Sequence, residues 1–78
     1  MDLKTLVADS VKKHRQEIGM TQEKLAEHAG INERYLQKLE AGENQPTVSV
    51  LFQLCLALNT TPEKLLTPIW ENWKDESK

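Results

Sequence analysis

Only one cysteine, Cys55, occurs in the 78 residues, so no disulfide can close within them; this fits a reducing compartment. No apolar run approaches the roughly 18 residues that a membrane span needs. The first residues lack a basic-then-apolar signal pattern. A cytoplasmic protein with no membrane partner is expected. Metal-ligand spacing is also missing: His14, His28 and Cys55 form no C-x-x-C or H-x-x-x-H pattern. Cys55 reads as a small buried hydrophobe and His14 as a helix-face residue. No nucleophile stands beside a plausible base, and a chain this short has no room for a deep pocket. Neither an enzyme nor a cofactor is expected. There is no strand-like alternation, no linker and no repeat of 20–50 residues.

A basic excess is lacking too. The formal net charge is −2, which counts against nucleic acid as a partner. The distribution changes that reading. Met1 to Gly42 holds seven Lys/Arg and seven Asp/Glu, whereas Glu43 to Lys78 holds three against five. A neutral N-terminal half can still sort its signs in space and present one basic face.

What is present is helical periodicity. Leu3, Leu6, Val7, Val11, His14 and Ile18 recur at three- and four-residue spacing, predicting a helix from about Asp2 to Ile18, stopped by Gly19. Thr21 caps a second helix with Leu25, Ala26 and Ala29 on one face, and Gly30 suits its left-handed end. Asn32 caps a third helix, whose stripe of Ile31, Leu36 and Leu39 runs to Gly42. Thr47 caps a fourth, about Val48 to Leu58, with Val48, Leu51, Leu54, Cys55 and Leu58 as its core face. Thr61-Pro62 opens a fifth, with proline at the first helical position. Thr67-Pro68 repeats that signal before IWENW.

The break at Gly30 is the informative feature. Two helices joined by a three-residue turn containing glycine cross steeply, and steep crossing needs a small residue such as Ala26 at the contact. With Leu25, Ile31, Leu36 and Leu39 turned inward, Glu33, Arg34, Gln37 and Lys38 stand clear. That is a helix-turn-helix, an arrangement that offers one helix to the major groove of DNA.

The segments TQEKLAEHAGINERYLQKLEAG, QPTVSVLFQLCLAL and TTPEKLL together resemble the lambda-repressor-like helix-turn-helix family (Cro and phage repressors, XRE). Tyr35 and the chain length also resemble the restriction–modification controller proteins. The resemblance covers about Val11 to Leu66. It implies an all-α, five-helix DNA-binding domain, residues 1–67, followed by a short helical extension, 68–78.

The resemblance also implies roles, each with a plainer reading beside it. Arg34 matches a base-contacting position, where its fork suits guanine O6 and N7; otherwise it is a solvated helix arginine. Glu33 matches the neighbouring position and can accept from cytosine N4, but an acid at a helix N-terminus is favoured by the dipole anyway. Lys38 matches a contact, and Gln37 reads adenine or faces water. Thr21 and Gln22 would meet phosphate at a helix N-terminus, or simply cap. Tyr35 reaches phosphate or packs at the core edge. Relatives often carry Lys or Arg in the loop after the motif. This chain has Glu43, which repels phosphate, beside Asn44 and Gln45, which can donate to it. Arg15 and Glu40 match an ion pair that is architectural. Lys12, Lys13 and Arg15 approach the DNA backbone or form a solvated face.

Apolar residues are left over. Val50, Phe52 and Leu56 add a second face to the fourth helix, and Ile69, Trp70 and Trp73 follow at helical spacing. They need a cover: either the tail folds back on the fourth helix, or a two-fold dimer buries Phe52, Leu56, Ile69, Trp70 and Trp73. The expectation is a homodimeric transcriptional regulator, a repressor, on palindromic double-stranded DNA with half-sites about 34 Å apart. An antitoxin-type autoregulator is a variant of it. The rival is a protein-interaction module that holds a protein partner through the Trp70/Trp73 surface.

Overall fold

The computed structural model describes residues 2–76 and forms five helices: α1 (Leu3–Glu17), α2 (Gln22–Ala29), α3 (Glu33–Glu40), α4 (Val48–Ala57) and α5 (Pro62–Glu76). Each starts where a side chain takes up an orphan backbone N–H. Asp2 Oδ1 accepts from Thr5 N at 2.9 Å, Thr21 Oγ1 from Lys24 N at 3.1 Å, Asn32 Oδ1 from Tyr35 N at 3.2 Å, Thr47 Oγ1 from Val50 N at 3.1 Å and Thr61 Oγ1 from Lys64 N at 3.2 Å. The first four helices end alike, in a turn through a positive-φ residue: Gly19, Gly30, Gly42 and Asn59. In each, the next N–H reaches back five residues, as in Met20 N to Arg15 O at 3.1 Å and Thr60 N to Cys55 O at 2.9 Å. Those bonds take up carbonyls that the helix ends leave free.

The core is a layer of aliphatic side chains shared by all five helices. Val11, Leu25, Leu36, Leu39, Leu54 and Leu65 are fully buried in it. α1 lies against α3 and α5, and α2 against α3 and α4.

Two expected apolar positions fall elsewhere. Ile18 sits just past the end of α1 and is half exposed, because the chain turns there toward Gly19. Val48 is 65 % exposed. Helical side chains lean toward the N-terminus, so in the first turn of α4 it leans past the helix start and over the loop.

The expected break at Thr67-Pro68 is absent, and α5 runs through Pro68. Proline removes one N–H donor from the helix, leaving a carbonyl without its partner. Side chains bond other carbonyls around it. Ser10 Oγ on α1 donates to Leu65 O at 2.8 Å, Thr67 Oγ1 to Glu63 O at 2.6 Å and Asn72 Nδ2 to Pro68 O at 2.7 Å. Leu65, Ile69 and Trp73, four residues apart, pack against the core on both sides of the proline. α5 lies chiefly along α1 and less along α4, so the tail covers α1 more than the fourth helix.

Candidate nucleic-acid interface

The interface is built from the turn outward. Gly30 ends α2 at φ 68°, ψ 31°, and its neighbour Ile31 donates to Ala26 O at 3.0 Å. Three residues separate Ala29 from Glu33, where α3 begins. Leu25, Ala26 and Ala29 on α2 and Leu36 and Leu39 on α3 are all buried, with Ile31 packed against them. The opposite face of α3 is left free. Arg34, Gln37 and Lys38 are exposed and Glu33 is half-buried. With Ala41 and Glu43, these four line one shallow concavity.

A polar network fixes α3 from behind. Arg15 grips Glu40 with two parallel bonds, Nε to Oε2 at 2.8 Å and Nη2 to Oε1 at 2.9 Å, and its Nη1 donates to Met20 O at 2.8 Å. The Glu40 side chain is only 2 % exposed. The hydrogen bonds to Glu40 raise the Arg15 pKa above the ordinary arginine value, against a smaller opposing effect of burial. Gln22 Nε2 adds a third donor to Glu40 Oε1 at 3.0 Å. One carboxylate thus ties α1, α2 and α3 together, and the angle between the motif helices depends on it.

This network divides the residues expected at DNA. Arg15 is committed to Glu40 and turned inward, so of Lys12, Lys13 and Arg15 only the two lysines remain free to solvent. Lys13 lines a groove against α5 with Lys64. Gln22 has one amide hydrogen on Glu40, which leaves its oxygen and second N–H for another partner. Thr21 caps α2. Tyr35 is half-buried and packs on the core edge. Asn44 is half-buried and Gln45 exposed in the loop after α3. Ala41 and Glu43 share the concavity with the α3 residues, a placement that no local sequence signal carries.

The surplus apolar residues separate as well. Ile69 is in the core of its own chain and Trp73 packs half-buried against it. Phe52 (51 %), Leu56 (82 %) and Trp70 (55 %) are exposed. The Trp70 and Trp73 rings lie 6.0 Å apart, tilted by 37°. Among the described residues, no group of three or more His, Cys, Asp or Glu side chains is placed to hold a metal ion. No helix of the described residues is long and apolar enough to cross a membrane.

Comparison with known proteins agrees with this geometry. The helix-turn-helix family model matches residues 11–65. An uncharacterized HTH-type transcriptional regulator of Sinorhizobium fredii is 38 % identical over 68 residues, covering 87 % of this chain and 88 % of the relative. The control protein C.SmaI of Serratia marcescens is 40 % identical over 67 residues, covering 86 % and 80 %. Among solved structures, a tyrosine point mutant of the restriction-modification controller protein C.Esp1396I superposes with TM-score 0.84 at 27 % identity, over 95 % of this chain and 97 % of that one. The clp gene regulator ClgR of Corynebacterium glutamicum superposes with TM-score 0.88 at 22 % identity, over 99 % and 82 %.

Proposed function

The chain belongs to the helix-turn-helix family of XRE-type, DNA-binding transcriptional regulators, and on that premise we propose that it represses transcription as a homodimer on a palindromic operator. The observation that carries the reading is the free outer face of α3. Arg34, Gln37 and Lys38 stand exposed on a helix that is buried behind and locked by the Arg15–Glu40–Gln22 network. A side chain that reads bases must be held to a fraction of an ångström, and a rigid helix does this better than a loop. Arg34 at the start of α3, with Gln37 and Lys38 one turn on, meets base edges, and Glu33 stands beside them. Thr21, Gln22, Tyr35, Asn44 and Gln45 meet phosphates and set the register. Similarity to the control protein C.SmaI supports a controller-type role, in which the protein's own concentration sets occupancy of its operator.

Selection from a random duplex library at near-physiological salt tests this. An enriched palindrome with half-sites about 34 Å apart is the expected result. Arg34→Ala then weakens specific binding by about 1–3 kcal/mol and relaxes one base position, while random duplex is little affected. Equal losses on both would remove Arg34 from base reading.

The exposed Phe52, Leu56 and Trp70 favour a second reading, a module that holds a protein partner through apolar side chains. Salt separates the two. Phosphate binding releases counterions and weakens steeply as salt rises, whereas apolar docking does not.

A further inference from the structure

We propose that Glu33 is a positioning residue: it holds the Gln37 amide so that Gln37 reads an adenine. The inference rests on the operator-binding reading above and assigns one base of the site. Gln37 Nε2 donates to Glu33 Oε2 at 3.4 Å, across one turn of α3. A free glutamine amide can turn either end to a base. A carboxylate only accepts, so the end that faces Glu33 must be the nitrogen. The amide nitrogen carries two hydrogens. In the proposed arrangement the one on the chain side goes to Glu33, and the other lies beside the carbonyl oxygen. That outer edge, one acceptor next to one donor, matches adenine N6 and N7 in the major groove.

Exposure assigns the roles in the same way. Glu33 is half-buried at the start of α3 and Gln37 is exposed, and both line the concavity with Arg34 and Lys38. Those two cations supply donors suited to guanine, and Gln37 adds the one edge in the patch that suits adenine. Glu33 itself, with one oxygen already accepting, acts through Gln37.

The test uses the operator selected by the wild-type protein and a set of duplexes with each base pair changed in turn. Binding is measured for wild type, Gln37→Ala, Glu33→Ala, Glu33→Gln and the double alanine variant. Gln37→Ala is expected to lose about tenfold discrimination at one A·T pair. Glu33→Ala loses about threefold at that same pair, and the double variant loses no more than Gln37→Ala. Glu33→Gln keeps the discrimination, because its oxygen still accepts. A merely structural role for Glu33 would lower affinity for all duplexes together and leave the base ratios unchanged, which would overturn the inference. Relaxation at a different base pair in Glu33→Ala, adding to that of Gln37→Ala, would also overturn it and make Glu33 a reader. A wild-type protein that selects no site overturns the operator reading and this inference together. A selected site with no pair sensitive to Gln37 overturns this inference alone.

Discussion

At the scale of single residues, Glu40 carries more than any other polar group. Its carboxylate accepts from Arg15 twice and from Gln22 once, with almost no exposure to water. Removing one member of a buried pair leaves the other charge without a partner in low dielectric. Arg15→Ala or Glu40→Ala should therefore destabilise by about 3–5 kcal/mol, read by urea unfolding. Replacing both by leucine or methionine should cost much less, since no buried charge remains. A loss below about 1 kcal/mol for the single variants would place the pair with surface ion pairs. The raised Arg15 pKa gives the pH dependence its sign. The contribution is fully present below the ordinary arginine value and is lost only as pH rises through the folded one, so Arg15 adds no slope near neutrality. Family resemblance made the Arg15–Glu40 pair legible in the sequence. Gln22 as its third member was not legible, because three separate helices must meet before those atoms come together. Ser10 was hidden for the same reason: it looks like a stray polar residue on α1 until Leu65 O is placed 2.8 Å away.

At the scale of elements, the order and ends of the helices were written locally. Each N-cap is a Thr, Asp or Asn residue, and three of the four left-handed ends are glycines. α5 was not legible. Pro68 signals a boundary by its chemistry, and what overrides it is packing: Leu65, Ile69 and Trp73 against the core, with Ser10 reaching across from α1. Val48 failed for a different reason, since helical periodicity assigns a face but not how far the core extends along it. The turn at Gly30 gives the sharpest test at this scale. A Cβ added there would meet nothing within 4 Å, so any cost is conformational. A left-handed backbone costs an L-residue about 1–2 kcal/mol, offset in part by the smaller entropy of the unfolded chain. Gly30→Ala should lower stability by about 1 kcal/mol, and Gly30→Asn by less, because asparagine tolerates this region. In a domain of this size, 1 kcal/mol corresponds to a fall in Tm of about 4–8 °C. A rise in Tm for Gly30→Ala would mean that the turn is not left-handed. Operator affinity should fall more than stability if the helix crossing angle shifts, because α3 is aimed by this turn.

At the scale of the whole molecule, what the fold leaves uncovered matters most. A chain of 78 residues buries only about 60 % of its unfolded surface, and small domains commonly gain further burial by association. Here Phe52 and Leu56 on α4 and Trp70 on α5 stay exposed after the core is complete, while Ile69 and Trp73 are already used within the chain. Under the proposed dimer, the first three carry the contact and the last two support it from beneath. The two groups should respond differently to substitution. Leu56→Lys places its charge in water in a monomer, so helical CD and urea unfolding of the dilute protein should change little. The same charge at a two-fold contact meets its own copy and is desolvated, so sedimentation equilibrium should show dissociation. Ile69→Lys should instead unfold the chain, since a charge buried in the α1–α5 core finds no partner. Operator binding by Leu56→Lys should weaken by more than an order of magnitude, because each half-site then binds alone and loses the effective concentration its partner supplied. Binding to a single half-site should be unchanged, which separates loss of the dimer from damage to α3. If Leu56→Lys stayed dimeric and bound the full operator normally, the two-fold contact would lie elsewhere, and the exposed apolar face would be left to the protein-partner reading.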